Sequence, residues 1–385
     1  VTALRVTRNG AARWEGGHPW IFASDLLPGQ TAEPGATVEV QDERGRFLGM
    51  AHYSAASQIA LRLLTRRREP LDRDFWVRRL RQAVVYRERV VRDSTALRLV
   101  FSEADLLPGL IVDRYGDVLV LQTLTQGMDR AMVEIAECLT ELLRPAALLA
   151  RNDASVRQRE GLPRETRVLA GQVPDAIPIR MNGLKFTVNL QRGQKTGAYL
   201  DQRENYLAAA RHAHGKVLDG FSSTGGFALH VARQVESVEA IESSPLAIEM
   251  ARANAEANGM TNIEFRQADV FDFLSGVRQA RYDTIILDPP AFAKSRKQLP
   301  EARRGYKEIN LRALKLLRPG GILITCSCSH HMSEAMLLEV LAETALDAGK
   351  TLRILERRAQ AADHPVLLTV PETLYLKCLI FEVLE

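Results

Sequence analysis

The sequence predicts an α/β protein in three parts, ending in a domain built on a parallel sheet with helices on both faces. Three observations predict it. Residues 186 to 385 alternate apolar strand-length runs with amphipathic stretches, as in "KVLDGFSSTGGFALHVARQ", "VESVEAIESSPLAIEMARANAEANG" and "YDTIILDPPAFAK", the pattern of strands buried on both faces. Residues 1 to 70 carry short alternating runs separated by turns. Between them lies a stretch that reads as strands around one helix.

The elements follow in order. "ALRVTR", "ATVEVQDERGRFLGMAHY" and "QIALRLLT" read as strands of a small β domain, with Gly45 in a hairpin after "QDER". From 71 to 95 the residues Phe75, Trp76, Leu80, Val84 and Val85 recur at helical spacing, which predicts a linking helix. Residues 96 to 185 hold "LRLVFSEADLLPGLIVDRYGDVLVLQTL", two strands around a Tyr-Gly-Asp turn, then the helix "DRAMVEIAECLTELL" and the strand "ALLAR". This is a β-β-α-β unit, a second compact module. No fixed-period repeat is present.

The chain has 385 residues, 46% hydrophobic and 25% charged, which fits ordinary globular domains and excludes disordered or low-complexity classes. Its four cysteines include no CxxC pair, so neither a disulfide framework nor a zinc site is indicated. The opening "VTALRVTRNG" lacks a signal-peptide apolar core, and no apolar run reaches bilayer-spanning length. A soluble, cytoplasmic protein is expected. Oligomeric state is left open, a homodimer included. The net charge is only +4, yet arginine crowds the stretch "LRLLTRRREPLDRDFWVRRLRQAVVYRERVVRDS" at 61 to 94. Arginine suits phosphate and stacked bases, whereas the interleaved Asp72, Asp74, Glu88 and Asp93 suit a solvated helix equally well.

The strand "KVLD" ends at Asp219 and runs through "GFSSTGGF" into a helix, so Gly220, Gly225 and Gly226 occupy the first strand-to-helix turn. Glycine there lets backbone approach a ligand, but the spacing is not GxGxxG, which argues against a dinucleotide oxidoreductase. Glu242 closes the next strand, where a carboxylate accepts the ribose hydroxyls of an adenosine. Asp269 follows the third strand, in reach of an adenine edge, and Asp288 of "LDPP" closes the fourth. Each alone also reads as a turn, cap or chain-stop residue. Ligands of such sheets bind at the carboxyl ends of the strands.

The series Asp, Glu, Asp, Asp-Pro-Pro resembles the motifs of class I S-adenosylmethionine-dependent methyltransferases, a Rossmann-like fold. Closer matches are "HPWIF" (18 to 22), "LPGLIVDRYG" (107 to 116), "QKTGAYLDQREN" (194 to 205), "FSSTGGFA", "LDPPAF", "RGYKEIN" (304 to 310), Ser327-Cys328-Ser329 and "AADHPVLLTVPETLYLK" (361 to 377). Together they look like the bacterial large-subunit (23S) ribosomal RNA cytosine methyltransferases of the RlmI type, over essentially the whole chain. The resemblance implies a PUA-like RNA-binding domain at 1 to 70, a β-β-α-β-β middle domain at 96 to 185 and the methyltransferase domain at 186 to 385. It implies S-adenosyl-L-methionine as methyl donor, RNA as partner and 5-methylcytosine as product. The donor's site would be formed by Asp219, Phe221, Ser222, Gly225, Gly226, Glu242, Asp269 and Asp288, with Gln194, Lys195 and Thr196 lining it and Arg203 ordering it.

Carbon 5 of cytosine is a poor nucleophile, so the implied chemistry adds a thiolate at carbon 6 first. "GGILITCSCSHH" (320 to 331) offers Cys326 and Cys328. Both would face one side if the strand persisted through them. The family's pattern falls on Cys328, with Cys326 as packing and Asp288 as partner for the base's N3 and N4 edge. Lys195, Arg203 or RNA-contacting arginines would supply the positive setting of the thiolate. Ala291 and Phe292 stand where related enzymes carry a second cysteine that helps release product, so the residue assisting elimination is open. Lys294, Arg304, Tyr306 and Lys307 are candidates for RNA contacts, His330 and His331 for bases, and His18, Pro19 and Trp20 for an RNA face, each with a packing or loop alternative. Asp-Pro-Pro followed by an aromatic residue also resembles the motif of enzymes that methylate a guanine nitrogen, and a non-catalytic ribosome-assembly RNA-binding protein is the alternative outside enzymes.

Overall fold

The structure, a computed structural model, describes residues 1–190, 197–277, 279–293 and 295–384. The chain forms two compact units, Val1–Ile179 with Val188–Gly197 and Ala362–Thr373, and Arg180–Thr187 with Ala198–Ala361 and Leu374–Glu385. Among the described residues, no helix is long and apolar enough to cross a membrane.

The first unit opens with a five-stranded sheet of Thr2–Arg5, Thr37–Gln41, Phe47–Tyr53, Ile59–Thr65 and Trp20–Phe22, in that spatial order. A helix the strand pattern did not reveal, Arg8–Glu15, is capped by Thr7 and seats Trp14 in the core, its indole donating to Leu48 O at 3.1 Å. The helix Arg73–Val90 is capped by Asp72 and buries Phe75, Trp76, Leu80 and Ala83. Arg87 on the same face is buried too. Its guanidinium donates to Asp105, Arg98 O and Asp363 O, which compensates the charge taken out of water. A second five-stranded sheet follows, Ala96–Phe101, Leu110–Tyr115, Val118–Thr123, Ala147–Asn152 and Glu165–Gly171 as successive neighbours. "ALRLVF" adds a strand ahead of the two around the Tyr-Gly-Asp turn, so this module reads β-β-β-α-β-β. Its helix Met132–Leu143 joins two parallel strands, as a parallel pairing demands.

The second unit is organised by one seven-stranded sheet, whose strands are numbered here β1 (Lys216–Gly220), β2 (Ser237–Glu242), β3 (Ile263–Gln267), β4 (Tyr282–Leu287), β5 (Leu317–Ser327), β6 (Leu352–Arg358) and β7 (Lys377–Val383). Its helices are α1 (Arg203–His212), α2 (Gly226–Ala232), α3 (Pro245–Ala257), α4 (Val270–Gly276), α5 (Leu299–Leu316) and α6 (Glu334–Asp347). The spatial order is β3-β2-β1-β4-β5-β7-β6. β1 to β5 are parallel, as their uninterrupted apolar runs require. The last two pairings are antiparallel, which the alternation did not predict: β7 enters between β5 and β6 running the other way. The order reverses at β1, where successive crossovers leave in opposite directions, and that is where such sheets leave a crevice.

Two glycines set how closely the first helices approach β1. Gly225 has φ of +87°, a conformation that strains any side chain. Gly226 lies against the buried ring of Tyr206 on α1; a Cβ there would sit 2.5 Å from the ring's Cζ. Its missing side chain is therefore occupied by this chain's own tyrosine. We expect Gly226→Ala to lower stability by about 1–3 kcal/mol, the usual cost of overpacking, read as a shift of the denaturant midpoint; an unchanged midpoint would show that α1 has room to move.

Candidate active site

The turn from β1 into α2 is held by carboxylates and backbone. Asp219 is fully buried. Its Oδ2 accepts from Ser222 Oγ at 2.7 Å and from Ala228 N at 3.0 Å, whereas Oδ1 has no partner among the described residues. Burial, reinforced by the charges on Asp288 and Glu242, pushes this carboxyl up to about 7 against the pull of those two bonds. Phe221 and Ser223 have φ of +65° and +50°, a left-handed conformation costly for residues with a Cβ. What keeps them there is visible: Ser223 N donates to Glu242 Oε2 at 3.0 Å, Ser222 N to Ile241 O, and Asn254 of α3 to Thr224 O at 3.1 Å. Glu242 also accepts from Ser243 Oγ and Ser244 N. With about four acceptor sites on a carboxylate, it retains one for a ligand. Asp269 is exposed and caps α4, accepting from Asp272 N at 3.1 Å.

The turn after β4 lies beside this loop. Asp288 is half-buried, and its backbone N bonds Gly220 O at 3.4 Å. A row of rings runs from the first loop to α5: Phe221 to Phe271 at 6.3 Å, Phe271 to Phe292 at 6.0 Å, and Phe292 to Tyr306 at 4.7 Å between centroids. These spacings suit edge-to-face and offset contact.

β5 stops at Ser327, which separates the two cysteines. Cys326 is fully buried and directly opposite Cys378 of β7, and burial pushes its thiol well above the ordinary value. Cys328 lies beyond the strand end and is half-buried. Its neighbours are clamped from α5: Tyr306 donates to Ser327 Oγ at 2.8 Å and lies 3.1 Å from Ser329 Oγ. Ser329 Oγ accepts from Ala293 N at 3.2 Å, which ties the cysteine turn to the turn that follows Asp288. Burial, then the charges of Cys328 and Asp288, raise the Tyr306 hydroxyl to about 12. Tyr199 is raised by burial and by Asp288, Asp201, Cys328 and Glu242. A thiol, a carboxylate and two tyrosines thus share one neighbourhood.

A family model described as S-adenosylmethionine-dependent methyltransferase matches residues 109–382, and a PUA-like domain model matches residues 4–66. The chain is 42% identical to the ribosomal RNA large subunit methyltransferase I of Shewanella amazonensis, over 95% of each chain. The chain belongs to this family. The protein of the same name from Salmonella arizonae is 41% identical over 94% of this chain and 92% of its own. Among solved structures, SMU.776 complexed with SAH superposes with a TM-score of 0.86, at 21% identity and over the full length of both chains. This methyltransferase therefore has the class I fold with a PUA-like N-terminal domain, and its cofactor is S-adenosyl-L-methionine.

Asp219, Phe221, Ser222, Gly225, Gly226, Glu242, Asp269, Asp288 and Cys328 all stand at the carboxyl edge of the methyltransferase sheet. Gln194, Lys195, Thr196 and Lys294 lie outside the described residues. Arg203 is buried at the start of α1, its carbonyl accepting from Asn182. Tyr306 is not a surface residue: it is fully buried, and its hydroxyl is spent on the serines flanking Cys328. Lys307 pairs with Glu343 and Asp347, and Arg304 is exposed. His330 is exposed, with its ring 5.5 Å from that of His331. Trp20 donates to Glu103 and His18 reaches Glu372, so this pair packs within the first unit. Sequence reasoning missed Asn254, Tyr199 and Lys377. Asn254 left a signal as a polar residue on the apolar face of α3, and Tyr199 and Lys377 lie within the motifs "QKTGAYLDQREN" and "AADHPVLLTVPETLYLK".

The raised Asp219 has a sign that can be checked. The folded state keeps this proton up to about pH 7, whereas an unfolded aspartate releases it near the ordinary aspartate value of 3.8. Its contribution is full below that value and is lost as pH rises through about 7. Relative to Asp219→Asn, the wild type should lose up to about 4 kcal/mol across that window, followed as unfolding midpoints at a series of pH values. A difference that does not vary with pH would rule out a buried, raised carboxyl.

Proposed function

We propose that this chain transfers a methyl group to carbon 5 of a cytosine in large-subunit (23S) ribosomal RNA, through a transient bond between Cys328 and carbon 6 of the base. The setting of Cys328 carries this reading: a half-buried thiol on a turn clamped by Tyr306 and joined through Ala293 to the turn of Asp288, in a chain whose relatives are named for ribosomal RNA methylation. S-adenosyl-L-methionine, when bound, supplies an electrophilic methyl group. The protein's own residues do the rest. The Cys328 thiolate adds to carbon 6 and turns carbon 5 into an enamine-like nucleophile, which takes the methyl group. A base removes the carbon 5 proton, the bond between sulfur and carbon 6 breaks, and the ring and the thiolate are restored. Asp288 holds the N3 and N4 edge of the cytosine.

The loop fits the cofactor's parts. Glu242, with one acceptor site left, takes the ribose hydroxyls; Asp269 meets the adenine amino group; Phe221 and Phe271 supply an apolar wall. Ser222, Gly225 and Gly226 shape the loop, which Asp219 holds. Arg203 orders it from α1, and Lys195 and Thr196 join the site by family resemblance.

An RNA partner is supported by the helix Arg73–Val90 in the first unit. A groove of about 840 Å³ is lined by its Arg78, Arg81, Tyr86 and Arg89. Arg78 pairs with Glu69, but Arg81 and Arg89 are exposed and have no carboxylate partner among the described residues. Guanidinium groups beside an aromatic ring suit phosphates and unstacked bases.

Incubation with labelled S-adenosyl-L-methionine and unmodified 23S rRNA, followed by nucleoside mass spectrometry, tests the reading. Label is expected as 5-methylcytosine, lost entirely in Cys328→Ala and reduced by about 10²–10⁴-fold in Asp288→Asn; label on guanine, or full turnover without Cys328, would overturn it. The double variant Arg81→Ala with Arg89→Ala should weaken rRNA binding and reduce its salt slope by about 2, roughly one per phosphate contact. An unaltered slope removes this helix from the RNA surface.

A further inference from the structure

The segment Ala362–Thr373 carries most of the motif "AADHPVLLTVPETLYLK", and the chemistry above gives it no role. It is braced at both ends within the first unit. At its start Tyr86 and Arg87 of the helix Arg73–Val90 donate to Ala362 O at 3.0 Å and to Asp363 O at 2.9 Å. Further along, Thr369 donates its hydroxyl to Gly17 O at 2.9 Å, and a Cβ on Gly17 would sit 2.6 Å from Thr369 Cγ2. His18 Nε2 lies 3.4 Å from Glu372 Oε2.

This frame presents a four-residue turn, Leu367 to Val370, closed by Val370 N donating to Leu367 O at 2.8 Å. Leu367 N donates to Thr373 Oγ1 at 2.9 Å, and that hydroxyl to Val370 O at 2.7 Å. Val370 is fully buried, whereas Leu368 at the tip is 94% exposed, the most exposed large apolar side chain among the described residues. Turns favour Gly, Pro, Asn, Asp and Ser, and an exposed leucine gains nothing from burial. Local propensity and burial both argue against leucine here, and a residue that breaks local rules on a braced frame is where a functional demand is expected. A tip pinned through both limbs has little freedom left to lose on binding. One leucine is too small for a stable protein interface, which needs about 800 Å² on each partner. It does fit the gap between two bases, as apolar wedges do in kinked nucleic acid. The helix that anchors the segment also carries Arg81 and Arg89, exposed and without carboxylate partners among the described residues, so groups suited to phosphates share one frame with the tip.

We infer that Leu368 is a wedge that enters the base stack of the RNA and opens one step of it, freeing a base to leave; this rests on the reading of RNA as the partner of that helix. Attack on carbon 6 needs such an exit, because a stacked base cannot be reached by the thiol. Leu368 touches RNA but no reacting atom, and it acts by positioning.

The test reads the RNA. The full chain with S-adenosylhomocysteine is bound to unmodified 23S rRNA, and nucleotide flexibility is mapped by ribose acylation and reverse transcription. Wild type is expected to raise reactivity at a discrete site, Leu368→Ser to leave that site as in free RNA, and Leu368→Phe, another apolar wedge, to restore the rise. Because Leu368 is almost fully exposed, neither substitution should move the melting temperature, so a loss is not an effect of unfolding. In turnover, Leu368→Ser should lower kcat/KM for folded rRNA by about tenfold or more, with affinity for S-adenosyl-L-methionine unchanged. No new reactivity with wild type, or the same reactivity with Leu368→Ser, overturns the wedge. Self-association that disappears in Leu368→Ser, with the probing pattern intact, overturns it too and assigns the tip to a second copy of this chain. A wild type that does not bind rRNA overturns the RNA reading and the wedge together, whereas full turnover by Cys328→Ala overturns the thiol chemistry and leaves the wedge standing.

Discussion

Parallel pairing of β1 to β5 is the constraint from which the rest of the second unit follows. Parallel strands end on the same edge, so residues as far apart along the chain as Asp219 and Cys328 meet there without any local signal that they should. Asp219, Glu242, Asp288 and Cys328 come from four different strand ends. The reversal of strand order at β1 opens the crevice between the first loop and the turn after β4, and Gly220 O receiving Asp288 N marks how close those two turns run.

That convergence has an electrostatic cost. Asp219 is buried beneath that edge, and burial, with the charges of Asp288 and Glu242 adding to it, holds its proton to about 7. The opposing contributions are mostly backbone N–H groups, those of Ser223, Ser244 and Ala228. Such donors are fixed by the fold, so they need no reordering when a ligand enters. The left-handed Phe221 and Ser223 are tolerated because the loop is pinned around them, Ser222 donating to Asp219 and Ser223 N to Glu242.

The cysteine turn is rigid by a different device. Tyr306 reaches it from α5, Lys377 from β7, and Ala293 from the turn after Asp288. Three separate elements therefore fix one thiol relative to one carboxylate. The first unit contributes differently, with exposed arginines along one helix and buried ones, Arg87 and Arg157, used as internal struts. The same residue type thus serves as surface and as scaffold.

By itself, the sequence determined the parts that depend on local pattern. Strands buried on both faces read as apolar runs, the acidic strand ends stand at fixed places after them, and the motifs around Asp288 and Cys328 carry the family's likeness. The tertiary structure decided what depends on meeting partners. β5 stopping at Ser327 is a matter of pairing with β4 and β7, and it is this that buries Cys326 and leaves Cys328 accessible. Tyr306 reads as a surface aromatic until α5 is docked, and Lys377 reads as the first residue of a strand until its register with Ser327 is known. Gly226 reads as a ligand contact until Tyr206 fills the space beside it. In each case the deciding quantity is a distance between residues far apart in the chain, which periodicity and spacing do not encode.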